Sequence, residues 1–238
     1  MKGTAKPADK RKVNRRGIAI EEAYQKIKKM IYLNQLAPGQ KIIYNDLGKR
    51  LNISVTPVIQ ALNRLEASGF VTYTPNKGYF VGEITVQEAM QLYEAREALE
   101  IYIVPKVIEN LNPKNLQEIK EAFGRHRTEQ NNILGRRLIL LDAQFHLKIV
   151  GFSGNEVICK MLQEIFEKLY LKYRPEYLHQ DRVKEIAQEH RMVLEALQRR
   201  DVEGAVATIR SHIISGRARV IDSLISQQES AFPLSESA

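Results

Sequence analysis

Between Asn45 and Val81 the chain reads NDLGKRLNIS, then VTPVIQALNRLEASGF, then VTYTPNKGYFV. These stretches predict a short helix, a tight turn into a second helix, and a two-stranded hairpin closed by Asn76-Lys77-Gly78. The second helix repeats Val58, Ala61, Leu62 and Leu65 at i, i+3, i+4, i+7, so one face is built to bury. Its opposite face carries Thr56, Gln60 and Asn63, with Arg64 at the side. Ser54 or Thr56 is placed to cap its N-terminus, and Pro57 is tolerated in a first turn whose amides lack intrahelical partners. A short helix, a turn and a polar-faced helix is the arrangement that sets side chains into a DNA major groove. The same pattern also describes an ordinary small helical subdomain, so charge has to decide between them.

Charge separates the chain into two parts. Residues 1–82 hold 15 Lys+Arg against 5 Asp+Glu, a balance of +10, while residues 83–238 hold 21 against 23, a balance of −2. All the excess positive charge therefore belongs to the first third, an electrostatic footprint for a polyanion. A membrane surface would also attract it, but no basic amphipathic helix with an exposed bulky apolar face is present. No apolar run is long enough to span a bilayer, and the basic N-terminus has no apolar core behind it. A lone cysteine, Cys159, excludes an internal disulfide framework and fits a reducing cytoplasm.

Outward from the opening stretch, residues 1–16 read as a disordered basic arm with almost nothing to bury. Residues 17–82 read as a winged helix domain. Its first helix runs from Ile20 to about Gln35 with Ala23, Ile27, Met30 and Ile31 inward, and Lys41–Tyr44 is a short strand able to pair with the hairpin. Residues 83–228 read as an all-helical domain. Thr85-x-x-Glu88 is a capping box opening a long helix, which Pro105 is expected to kink. Further helices begin at Asn112-Pro113, near Leu138, at Glu156, near Asp181 and after Asp201. Residues 229–238 read as a disordered tail. The expected fold is mainly α: a winged helix-turn-helix domain followed by an all-α bundle of about six helices.

Within that bundle polar residues interrupt apolar stripes. One stripe is Leu138, Leu141, Asp142, Phe145, His146, Ile149; another is Val183, Ile186, Ala187, His190, Leu194, Leu197; a third is Ala205, Ile209, His212, Gly216. Asp142 and His146 lie one turn apart and share a face. A single inward histidine is usually a hydrogen-bonded core residue. Four inward ligand types on three helices would each cost free energy unless partnered, and one divalent cation would satisfy them together. One carboxylate and three imidazoles suit a divalent transition metal, zinc foremost, with manganese, nickel and iron also matching. Glu189 falls off the inward stripe and reads as solvated. No HExxH, GxSxG or Walker-type loop occurs, so no catalytic residue is assigned. The alternative in a different class is a metal-dependent enzyme acting on a small organic acid, with a basic appendage.

The chain resembles the GntR family of bacterial transcription regulators, specifically members with the FCD ligand-binding domain. The resemblance rests on Leu36-Ala37-Pro38-Gly39, on SVTPVIQALNRLEASGFV with its NKGYFV wing, on LYEAREALE, on DAQFH with SGN after it, and on EHRMVLEAL and SHI. It implies a homodimer on a pseudo-palindromic double-stranded DNA operator, and a small carboxylate effector bound in the bundle beside a metal. Six bundle helices are more similar to the VanR-type subgroup than to the FadR-type one. The family's metal ligands correspond to Asp142, His146, His190 and His212. Arg96 matches an arginine that reaches the effector carboxylate, a role suited to a planar guanidinium; a surface ion pair with Glu100 at i+4 is the competing reading. The DNA-binding residues would be Asn45, Lys49, Arg50, Val55, Thr56, Ile59, Gln60, Asn63, Arg64, Lys77 and Gly78. The chain departs from the family at Val55 and Ile59, where arginines are common, at Gln60, where Glu is common, and at Asn45, where an arginine is common. The bidentate arginine-to-guanine contact is therefore missing from those positions.

Overall fold

The computed structural model describes residues 7–128, 135–172 and 180–230, and the chain divides into two units at Glu83/Ile84. The first unit holds α1 (Pro7–Tyr32), β1 (Lys41–Ile42), α2 (Tyr44–Leu51), α3 (Val55–Ala67), β2 (Val71–Thr74) and β3 (Gly78–Val81). The inward stripe of α1 is buried as its periodicity requires, with Ala23, Ile27, Met30 and Ile31 against the buried face of α3. That face is Val58, Ala61, Leu62 and Leu65, all fully buried. Burying a Leu side chain completely is worth about 1.5–3 kcal/mol, so two such leucines dominate the attachment of the helix.

The turn between α2 and α3 is closed by backbone geometry. Asn52 sits in the left-handed region at φ 54°, ψ 44°, and the Ile53 amide donates to the Gly48 carbonyl at 3.0 Å. Asparagine tolerates this conformation better than most side chains. Ser54 occupies the cap position of α3, but its side chain makes no capping hydrogen bond, contrary to the expectation for Ser54 or Thr56. The sheet runs in the order β1-β3-β2, antiparallel throughout, with Lys41 opposite Phe80 and Tyr73 opposite Tyr79. Its hairpin turn places Asn76 and Gly78 at positive φ, and the Lys77 amide donates to the Thr74 carbonyl at 3.0 Å.

Four boundaries differ from the sequence reading: the helix expected from near Leu138 begins at Gly135, the last helix reaches Ser230 inside the expected tail, and two more lie in the first unit. The backbone of residues 7–16 is helical and continuous with α1, where a disordered arm was expected. Mostly polar residues with no apolar stripe give no periodic signal, yet nothing in them breaks a helix after Pro7 at the first helical position. The strand expected over Lys41–Tyr44 stops at Ile42, because Tyr44 already starts α2. Residues 1–6 and the tail beyond Ser230 lie outside the described residues.

The second unit is helical: α4 (Val86–Asn110), α5 (Pro113–Thr128), α6 (Gly135–Gly151), α7 (Glu156–Lys172), α8 (Gln180–Gln198) and α9 (Val202–Ser230). The Thr85 hydroxyl accepts from the Glu88 amide at 3.1 Å, as the capping box predicts, while the Glu88 carboxylate pairs instead with Lys172 at 2.5 Å. Asn112 and Asp201 cap α5 and α9, accepting from Asn115 and Gly204 at 2.9 and 2.8 Å. The long helix α4 is central and packs against α6, α7 and α9. Closeness to α9 needs a missing side chain: a Cβ on Gly216 would stand 3.3 Å from the Tyr93 ring. Among the described residues no helix is long and apolar enough to cross a membrane.

Candidate nucleic-acid interface and metal centre

In the first unit the polar face of α3 is open. Thr56, Asn63 and Arg64 are exposed; Val55, Ile59 and Gln60 are half-buried. Asn45, Lys49 and Arg50 are exposed on α2, and Lys77 is exposed at the hairpin tip beside half-buried Gly78. These positions belong to three adjoining elements of one small unit, so a single ligand surface can be drawn through them. Besides Arg50, which donates to Gln35 at 3.2 Å, two further side chains are not simply solvated. Arg64 lies 2.8 Å from Glu21 and stacks on the Tyr24 ring, 4.4 Å from its centroid. Asn63 accepts a hydrogen bond from the Tyr79 hydroxyl at 2.5 Å. Neither partner lies within helical spacing, so the sequence offered no signal for them.

In the second unit Asp142 and His146 from α6, His190 from α8 and His212 from α9 converge, with their ligand atoms all within 4.8 Å of one another. Oδ1 of Asp142 lies 3.1 Å from His190 Nε2, 3.3 Å from His212 Nε2 and 3.8 Å from His146 Nε2. All three imidazoles are buried, while the Asp142 side chain keeps 16% of its surface exposed. The helical stripes place them: Phe145, Ile149, Leu194, Leu197 and Ile209 bury on the same faces. The Leu138 and Val183 side chains of those stripes lie outside the described residues.

A second layer of charge surrounds the cluster. His146 Nδ1 donates to Glu100 at 2.5 Å, and Glu100 accepts from Arg96 Nε at 2.6 Å. His212 Nδ1 donates to Glu189 at 2.7 Å. Glu189 therefore faces the site and is not the solvated residue its offset from the stripe suggested. Arg96 and Glu100 form the i+4 pair, but at 2% exposure each it is a buried pair and not a surface one. The second guanidinium nitrogen of Arg96 points 3.6 Å from Asp142 Oδ2 and, among the described residues, makes no hydrogen bond. Phe166 lies under the guanidinium, 4.6 Å away, and Phe145 stacks on His190 at 4.3 Å.

Family profiles match both units. The profile of bacterial regulatory proteins of the gntR family covers residues 19–81, and the FCD domain profile covers residues 91–215, more than half the chain. The chain belongs to the GntR family. This GntR protein is 33% identical to the Nta operon transcriptional regulator of Aminobacter aminovorans over 132 residues, 56% of this chain and 62% of that one. It is 26% identical to the transcriptional regulator McbR of Escherichia coli K12 over 75% of this chain and 81% of McbR. The solved structure of E. coli McbR/YncC superposes with a TM-score of 0.72 at 24% identity, covering 86% of this chain and 97% of that one. A GntR regulator from Rhodococcus sp. RHA1 superposes with a TM-score of 0.74 at 16% identity, covering 85% and 97%, a likeness of fold. The chain is a DNA-binding transcriptional regulator with an FCD effector-binding domain.

In this GntR regulator the FCD cluster has the chemistry of a cation site. Asp142 Oδ1 and His146 Nε2 are buried without a hydrogen-bond partner among the described residues. Burial works to raise the Asp142 carboxyl, but Arg96, His190 and His212 outweigh it and hold it well below the usual range. Glu100 is likewise buried, and His146 and Arg96 bring it down to about 2. Burial keeps His146 and His190 neutral, the form that ligates; His212 is instead raised, because Asp142 and Glu189 flank its two nitrogens. With Glu100 and Glu189 accepting from Nδ1 of His146 and His212, both rings direct Nε2 toward Asp142, the nitrogen that ligates a metal once it carries no proton. Four oxygen and nitrogen donors fit a divalent transition metal.

Proposed function

We propose that this regulator binds a pseudo-palindromic operator as a homodimer in the bacterial cytoplasm, and that a small carboxylate effector, held beside a divalent transition metal, sets its DNA affinity. Lys49, Arg50 and Lys77 contact phosphates with Asn45 and the Gly78 backbone beside them, and supply salt-sensitive affinity. Arg64 joins them by exchanging Glu21 for a phosphate. Thr56, Gln60 and Asn63 read base edges, and Val55 and Ile59 pack on thymine methyls. Asp142, His146, His190 and His212 hold the metal, with zinc first among the candidates and manganese, nickel and iron compatible.

One observation supports the effector reading above others: the buried second nitrogen of Arg96 lacks a hydrogen bond and faces the cluster across Asp142. A planar guanidinium beside a cation is a two-point receptor for a carboxylate. Metal would supply Lewis acidity toward that carboxylate when bound; the chain's own residues orient it and exclude water. An effector changes DNA affinity only through unequal binding to two arrangements of the protein.

The test has two parts. Elemental analysis of purified protein is expected to find about one metal per chain, as a single four-ligand site requires, and His146→Ala with His190→Ala is expected to abolish it. Gel shifts against genomic fragments, repeated with a panel of small carboxylates, are expected to show selective binding altered by one of them in wild type but not in Arg96→Ala. Metal content unchanged in the double variant would remove the site from the account.

A further inference from the structure

We propose that Tyr79 is a positioning residue for sequence reading: by donating to Asn63 Oδ1, it presents the Asn63 amide to DNA as a hydrogen-bond donor and selects guanine over adenine. The inference rests on the reading of α3 as the recognition helix. The Tyr79 hydroxyl lies 2.5 Å from Asn63 Oδ1, while the Asn63 residue is otherwise exposed on the polar face of α3. An asparagine reads adenine by two bonds at once, donating to N7 and accepting from the N6 amino group. A hydroxyl from β3 takes one lone pair of its carbonyl and holds that oxygen toward the wing, which disfavours the two-point adenine contact. The free end is the NH2, which matches the N7 and O6 acceptors of guanine.

The hydroxyl is held in place from several sides. Tyr79 is 7% exposed and sits opposite Tyr73 across the β2–β3 ladder, with ring centroids 5.0 Å apart. Burial, and then the nearby Glu66 charge, push its phenol above the ordinary value, which favours the protonated, donating form. Gln60, one turn before Asn63, also keeps its carbonyl oxygen buried. The outward face of α3 is thereby short of acceptors, and the sequence alone gives no hint of this, since an amide offers both.

The experiment is selection of operators from a randomised double-stranded DNA library by full-length wild-type, Tyr79→Phe and Asn63→Ala proteins. Wild type is expected to prefer guanine over adenine by about tenfold at one base pair in each half-site, the scale of one good base contact. Tyr79→Phe is expected to shift that same base pair toward adenine while the rest of the site is kept. Asn63→Ala is expected to flatten the preference there and nowhere else. Should Tyr79→Phe select the same site with uniformly weaker affinity, Tyr79 only fastens the wing to α3 and the inference fails. A wild-type protein that selects no site at all would overturn the recognition-helix reading itself, and a melting curve matching wild type separates either result from misfolding.

Discussion

Glu100 is the residue on which the bundle's polar interior turns. It joins Arg96 to His146, holding one by its side-chain Nε and fixing the ring tautomer of the other. Replacing it with glutamine keeps the volume but removes the charge that balances Arg96 and orients His146. Partners of this kind typically matter 10- to 100-fold for metal binding. Competition with a chromophoric chelator is therefore expected to show Glu100→Gln binding metal about 10- to 100-fold more weakly, and equal affinity would mean the bond to His146 is incidental. The four ligands could be read from the sequence because each interrupts an apolar stripe. Glu100 and Glu189 could not. One stands at i+4 from an arginine, as any surface pair does, and the other lies off its stripe; their partners come from other helices. Residue-level legibility thus ends where a contact depends on which helices are neighbours.

Among elements, the α2–α3 turn is held by close backbone packing. A Cβ on Gly48 would lie 2.9 Å from the Ile53 carbonyl oxygen, a backbone atom that cannot rotate away. Helix propensity favours alanine over glycine by about 0.8–1 kcal/mol, whereas a forced backbone shift in a packed site costs about 1–3 kcal/mol. The clash wins, so Gly48→Ala is expected to lower the stability of the first unit by about 1 kcal/mol or more, read by chemical denaturation with a probe in that unit. A stabilised variant would show that the turn relaxes freely. The turn's location was legible from Asn52 and the change of pattern at Ser54, while the missing Ser54 cap was not, because capping depends on a rotamer. On α2 and in the wing, affinity rather than fold is at stake. Lys49→Ala and Lys77→Ala are each expected to reduce the slope of log affinity against log salt by about 1 while leaving the preferred operator unchanged; an altered operator with an unchanged slope would make them base readers.

At the level of the whole molecule the two units differ in what stabilises them. The first relies on an apolar core between α1 and α3, and the second has an apolar core of its own that also encloses buried charge a cation would balance. Ligand present at a thousandfold over its Kd stabilises a folded unit by about 4 kcal/mol. For a domain of this size that corresponds to a shift on the order of 10 °C. Chelation is expected to lower the melting transition of the helical unit by that amount and leave the other transition in place, seen by calorimetry; a parallel shift of both would indicate that the units unfold together. The two-part organisation was legible because charge and periodicity both change near residue 83. The helical backbone over 7–16 was not, since these ten residues, seven of them polar, carry no stripe to read.

Pro105 gives α4 a mechanical polarity. Lacking an N–H, it cannot bond to the Ile101 carbonyl, so the hydrogen-bonded ladder is weakened on its C-terminal side. Toward the N-terminus the ladder has no such gap, from the Arg96 and Glu100 pair to the Thr85 cap where the chain arrives from the first unit. Eleven residues at 1.5 Å each make that stretch a rod of about 16 Å. Amide hydrogens around Arg96 are therefore expected to exchange more slowly than those in the turn at Pro105.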